Sequence, residues 1–298
     1  MRFIAIFLFL VSISAKSLYD TCIEAVNYEA ELPCLLQLNG FRRCKALSVT
    51  PEVHGKPYVC GVTNPNSKSA KLKIFLYGNS YAMRHYDGFK SGLSDYYSEF
   101  HMVAQGSCSI FSFANLPKWM CDRLHETGNA VIDDVKPDVV IVVQKTDHII
   151  PFKNPPNETL DEATILSSET FQALANKTRL LLIVESNPSY RRQSILTNTD
   201  IPDGFKIPKD QCFINATSAA RQLDPSWDRI TASISNCSNC VALPMRDIFC
   251  NGPEGQCPMF TSDGEPLLCD ATHAYTNLVK KIVPRIIDAI KTHLLYLV

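Results

Sequence analysis

The chain has 298 residues, of which 46% are hydrophobic and 20% charged, with a formal net charge of −1 at pH 7. That length buries one large core with room for a small appendage. The near-neutral balance, in which Arg42-Arg43 and Arg191-Arg192 are no more than short pairs, gives no support for a nucleic-acid partner.

The N-terminus reads as a secretory signal over residues 1–17, with Arg2 as its basic start, Ile4 to Ile13 as its apolar core and Ala15-Lys16-Ser17 as its cleavage region. The core is shorter than the roughly 20 residues of a membrane span, and no later run is longer. All 12 cysteines lie beyond the signal, an even number that suits an oxidising compartment. Four sequons begin at Asn157, Asn176, Asn215 and Asn236. Together these features predict a secreted, extracellular, disulfide-bonded glycoprotein. Residues 18–70 form a small cysteine-rich segment with Cys22, Cys34, Cys44 and Cys60 and a turn-rich linker at Thr63-Asn64-Pro65-Asn66-Ser67. So short a stretch needs staples, and two disulfides supply them.

From Lys71 the pattern changes, and residues 71–298 read as the main domain. Ile74-Phe75-Leu76-Tyr77 is a continuous apolar run ending at Gly78, as expected of a strand buried on both faces. A helix is predicted from Ser80 to about Ser91, a strand over Phe100 to Ala104 and a helix over Trp119 to Val135. Asp138 to Val143 is the clearest buried strand. A helix within Leu160 to Asn176 and a strand over Leu180 to Val184 follow. Then come a helix around Ser218 to Leu223, a strand at Val241 to Leu243 and a last helix from Tyr275 to Leu295 with a kink expected at Pro284. Buried strands alternating with helices specify an α/β fold, a three-layer sandwich around a mostly parallel central sheet. Reactive groups in such sheets gather at the carboxyl ends of the strands, where Ser80 is placed.

Serine is a weak nucleophile until a base takes its proton, and imidazole is a suitable base near neutral pH when a carboxylate orients it. Ser80 at the start and the pair Asp270 and His273 near the end offer those three parts. Each segment alone has a plainer reading, Ser80 as a helix cap and Asp270 as the cap of the last helix. Cys237-Ser238-Asn239-Cys240 is readable as a zinc site or a redox pair, but disulfides are the better reading in an exported chain. Cys250–Cys257 and Cys108–Cys121 are the pairs expected, although a count does not fix connectivity. Asp147-His148 reads as a second acid–base pair or, more simply, as a local turn. His85 is expected to face solvent or pack, and Trp119 and Trp227 to sit in the core.

Taken with their context, Gly78-Asn79-Ser80-Tyr81-Ala82 and Asp263-Gly264-Glu265-Pro266-Leu267 through Asp270-Ala271-Thr272-His273 resemble the first and last blocks of SGNH (GDSL-like) hydrolases. The likeness is strongest to the SGNH domain of membrane acyltransferase-3 proteins, whose cysteine-bearing segment Cys250 and Cys257 also resemble. It implies a flavodoxin-like sandwich with Ser80 as nucleophile, His273 as base and then acid, and Asp270 as orienting carboxylate. It further implies an oxyanion hole from the Ser80 N–H, the Gly106 N–H and an asparagine after the third strand. This chain departs there, with Thr146 at that place in Gln144-Lys145-Thr146-Asp147, so that the Gln144 amide or the Thr146 hydroxyl is the available substitute. An α/β-hydrolase is the rival, but its serine follows several strands rather than the first. The expectation is a serine esterase or O-acyltransferase acting on carboxylic esters, acetyl groups on glycans among them, with no metal or cofactor. The alternatives are a non-catalytic module that binds acylated glycans and an accessory subunit of a membrane acyltransferase.

Overall fold

The computed structural model describes residues 57–64, 72–115, 119–147, 149–156, 161–189, 213–252, 255–259, 261, 267–268 and 272–295. The signal, Cys22, Cys34, Cys44, Asn157 and Asp270 lie outside the described residues. The described part is a mixed six-stranded sheet between two layers of helices, the α/β sandwich expected. In chain order the sheet strands are β1 (Tyr58–Thr63), β2 (Leu72–Gly78), β3 (Tyr97–Ala104), β4 (Val139–Val143), β5 (Leu180–Val184) and β7 (Cys240–Leu243). Their spatial order is β1-β3-β2-β4-β5-β7. All neighbours are parallel except β1, which runs antiparallel to β3. A two-stranded ribbon, β6 (Phe213–Asn215) with β8 (Gln256–Pro258), lies apart from it.

The sheet therefore begins before residue 71: β1 comes from the segment read as a separate cysteine-rich piece. Its pattern is hard to read because an edge strand buries little, and only Cys60 of its six residues is buried. Cys60 is also disulfide-bonded.

Residues alternate across β2, so that Ile74 and Leu76 join one core while Phe75 and Tyr77 join the other. The first core is covered by α1 (Ser80–Gly92) and α6 (Thr276–Ile290), which contributes Leu278, Val279, Ile282 and Ile286. The second is covered by α2 (Asp122–Val135), α3 (Glu162–Ala175) and α4 (Ala216–Ser233), through Leu124, Phe171 and Ile230 among others. A one-turn helix, α5 (Arg246–Phe249), follows β7. Gly88 and Gly92 let α6 lie close on α1, since a Cβ at either would stand under 3 Å from Val279 or Val283.

One helix exceeds its expected reach. The helix expected to end near Leu223 continues as α4 to Ser233 with Pro225 inside it. Proline removes one backbone donor there, yet Pro225 is buried, and its carbonyl accepts from Arg229 Nη1 at 2.7 Å. Likewise α6 runs through Pro284 and ends in a π-helical turn at Lys291–Leu295. Among the described residues no helix is long and apolar enough to cross a membrane.

Three disulfides are described. Cys108–Cys121 and Cys250–Cys257 are those expected, and Cys237–Cys240 closes the CxxC segment as a disulfide. Asn176, Asn215 and Asn236 are exposed.

Candidate active site

Chain order and spatial order diverge at β2. The chain leaves β2 for β3 on one side and later places β4 on the other, which opens a crevice at the carboxyl end of β2. Gly78 ends that strand at φ +156°, and a Cβ there would lie 1.9 Å from the Val143 carbonyl oxygen. Only glycine lets the chain turn so close to β4.

The turn is held by Asn79, the N-cap of α1. Its Oδ1 accepts from the Tyr81 N–H at 3.1 Å and from the Lys145 N–H at 3.3 Å, while its Nδ2 donates to the Lys145 carbonyl at 3.3 Å. One side chain thus caps the helix and ties it to the segment after β4. Ser80 is the first helical residue, and none of these bonds uses its N–H.

His273 Nε2 lies 2.9 Å from Ser80 Oγ, a distance at which the hydroxyl donates to the imidazole. The other ring nitrogen, Nδ1, is 3.2 Å from Thr272 Oγ1. The His273 loop is anchored twice. Leu268 and Ala274 form a β-bridge, and Asn187, three residues past β5, donates from Nδ2 to the Thr272 carbonyl at 2.8 Å. The Tyr81 ring packs 5.2 Å from the His273 ring, centre to centre.

His85, one turn further along α1, is buried rather than solvent-facing. Its Nδ1–H donates to the Tyr81 carbonyl at 2.7 Å, and its ring meets Phe89 edge-on. Burial pushes its pKa down to about 4, with the charge of His273 a smaller contribution in the same direction and the Tyr81 bond opposing. It is a neutral neighbour of His273.

Gly106, two residues past β3, is half-buried with no atom within 4 Å of the place a Cβ would take. Gln144, directly after β4, is buried. Its Oε1 accepts from Ser109 Oγ at 3.2 Å and from the Ile110 N–H at 3.0 Å. Those two donors fix the amide's orientation and leave Nε2 as a buried donor with no hydrogen-bond partner among the described residues. Thr146 is buried as well, and its carbonyl accepts from the Ile149 N–H at 2.9 Å. Asp147 Oδ1 pairs with Lys145 Nζ at 2.8 Å, and His148 lies outside the described residues. Burial holds the Lys145 ammonium below the usual lysine range while Asp147 opposes that shift, and Nζ sits 5.5 Å from the Tyr81 ring centre.

Residues that sequence reading left unremarked also build this end of the sheet. Gln105, directly after β3, donates from Nε2 to the Trp119 carbonyl at 3.0 Å and so braces the Cys108–Cys121 loop from one side as Gln144 does from the other. Their signal was available: Gln105 and Asn187 are polar residues just past the ends of apolar strands, as Gln144 is. Beside Asn79 opens a cleft of about 420 Å³, between the loop after β3 and the segment after β4. Trp119, expected in the core, is half-buried and forms part of the cleft wall; Trp227 packs half-buried on the second core. No group of three or more histidine, cysteine or acidic side chains among the described residues is placed to hold a metal ion.

Residues 43–288 match the family described as the SGNH domain fused to AT3 domains. No curated protein is similar enough in sequence to match. Among solved structures, the fold is similar to the periplasmic domain of a lipopolysaccharide acetyltransferase from Salmonella ser. Paratyphi A. The two share 16% identity and a TM-score of 0.51 over 91% of this chain and 100% of that one.

Proposed function

The chain belongs to the SGNH domain family, in the branch found fused to AT3 domains, and on that premise we propose that it is a serine esterase or O-acyltransferase acting on carboxylic esters. The observation that carries this reading is the 2.9 Å contact of His273 Nε2 with Ser80 Oγ at the carboxyl end of a central parallel strand. Ser80 attacks the ester carbonyl as His273 takes its proton. The carbonyl oxygen then bears the negative charge, and the N–H groups of Ser80 and Gly106 stabilise it together with the Gln144 amide or the Thr146 hydroxyl. Collapse expels the alcohol, protonated by His273, and leaves an acyl-serine. Water or a sugar hydroxyl then attacks that acyl-serine, and His273 again relays the proton. Asp270 is assigned the role of orienting His273. None of these steps calls for a metal or organic cofactor.

Acyl esters of glycans are the substrate class, a reading supported by the family and by the fold it shares with an acetyltransferase domain. We propose further that the protein is exported through its N-terminal signal, glycosylated at its sequons, and able to serve an AT3-type membrane acyltransferase in trans. The replacement of asparagine by Thr146 favours one competing reading, a module that binds acylated glycans without turnover.

Labelling by a serine-directed fluorophosphonate separates the two. The wild type is expected to be labelled and to hydrolyse p-nitrophenyl acetate, and Ser80→Ala and His273→Ala are expected to lose both. Equal rates in all three proteins overturn the enzyme reading.

A further inference from the structure

The cleft beside Asn79 states more about the substrate than the family does, provided its polar groups are accounted for one by one. Its described lining carries no charged side chain. The polar residues in it are largely spent on the protein itself. Asn79 uses both ends of its amide on Tyr81 and Lys145. Ser109 Oγ donates to Gln144 Oε1 at 3.2 Å and accepts from the Phe111 N–H at 3.1 Å. Asn115 accepts from the Ser109 N–H at 2.7 Å, and its Nδ2 contacts the Ser109 carbonyl at 2.8 Å and His125 Nε2 at 3.0 Å. Burial keeps the His125 pKa low, so its ring stays neutral and accepts that contact. Ser107 stands exposed at the mouth. Among the described residues, what remains facing the cavity is apolar: Phe113 and Trp119 from one loop, Ile149 and Pro151 from the other, and the Cys108 end of the disulfide.

A sugar ring placed there buries hydroxyls against groups that have no bonds left to give, which is unfavourable. A hydrocarbon chain loses nothing and gains with every methylene buried. The cavity, at about 420 Å³, is several times what the three heavy atoms of an acetyl group fill. Asn79, in its wall, directly precedes the nucleophile, so a group bonded to the attacked carbonyl has a short route into it.

We propose that this cleft is an acyl subsite and that the protein acts on esters of acyl groups longer than acetyl, linear or aromatic chains of about four to eight carbons. The inference rests on the esterase reading for its chemistry, whereas the occupancy of the cleft is measurable without turnover. The alcohol part of the substrate, glycan or other, lies outside the cleft. The Cys108–Cys121 bridge and the two glutamines give the subsite fixed walls.

Two arms test it on the mature protein. In the first, p-nitrophenyl acetate, butyrate, hexanoate and octanoate are compared, and kcat/KM is expected to rise by up to about fourfold per methylene through hexanoate. Ala114→Trp, which places a bulky ring into the cleft from a half-exposed position, is expected to erase at least fivefold of the hexanoate-over-acetate advantage. In the second, Ser80→Ala with Trp227→Phe leaves Trp119 as the reporter of the cleft. Its emission is expected to shift saturably with methyl hexanoate and not with methyl acetate or methyl N-acetylglucosaminide. A preference for acetate that Ala114→Trp leaves unmoved overturns the proposal, as does a saturable response to the sugar alone or to no probe. Loss of Ser80 labelling and of all ester turnover overturns the esterase reading instead, and the fluorescence arm still decides what the cleft binds.

Discussion

His85 is the sharpest place to test whether this site is built as described, because its burial has a thermodynamic consequence that can be measured at a distance from catalysis. The residue is 3% exposed on α1, and burial holds its pKa at about 4 against the 6.5 usual for histidine. Between those values the unfolded chain binds a proton that the folded one refuses, so stability rises with pH across that window. The contribution is fully present above about pH 6.5 and is lost as pH falls toward 4. A downward shift of this size at roughly 1.36 kcal/mol per unit predicts that about 2–3 kcal/mol of stability disappears between pH 7.5 and pH 4.5. Other groups add to the loss of stability as pH falls toward 4, Glu99 among them, whose carboxyl the His101 hydrogen bond holds below the usual range. The informative quantity is therefore a double difference. Urea denaturation of wild type and His85→Gln at both pH values should show the wild type losing about 2–3 kcal/mol more than the variant, whatever the variant costs at pH 7.5. Parallel losses in the two proteins would refute the reasoning, since they would mean that His85 titrates in the folded state much as it does in the unfolded chain.

Three further outcomes follow from the geometry. Gly78→Ala drives a methyl group into the Val143 carbonyl, 1.9 Å away, at a left-handed φ; it should cost at least about 3 kcal/mol in urea melts and abolish fluorophosphonate labelling of Ser80. Asn79→Ala removes the cap of α1 and both ties to Lys145. It should cost about 2–3 kcal/mol and slow Ser80 labelling tenfold or more, with normal labelling arguing that the turn is held by other means. Glu185, 4% exposed at the end of β5, accepts from the Met245 and Arg246 N–H groups and pairs with the Arg246 guanidinium at 2.6 Å. Arg246→Leu should therefore cost about 3 kcal/mol near neutral pH by stranding a buried carboxylate, an effect that Glu185→Gln in the same chain should largely remove.

Much of the scaffold was written into local pattern. β4 and β5 are runs of five apolar residues and β2 holds a run of four, and a strand buried on both faces has no other way to look. α6 announces itself through apolar residues at helical spacing. β1 did not, because an edge strand with one buried residue of six carries almost no hydrophobic signal. The length of α4 was hidden by Pro225, whose cost is local while the burial of Leu223, Ile230 and Trp227 around it is tertiary. Trp119 misled for the same reason. A tryptophan reads most simply as core, and only the meeting of two loops made it a wall.

The sequence by itself determined a parallel α/β sheet, the glycine turn that delivers Ser80 to its carboxyl end, and the identity of the histidine at the other end of the chain, because these depend on residue type and near neighbours. Only the tertiary structure decided that the two meet at 2.9 Å, that Asn79 and Asn187 hold them there, and that the described lining of the cleft beside them is apolar once its hydrogen bonds are counted. The physical reason is that hydrogen-bond satisfaction belongs to pairs of atoms far apart in sequence. Asn115 and Ser109 look like polar lining in a string of letters, and they become an apolar wall only when their partners are in place.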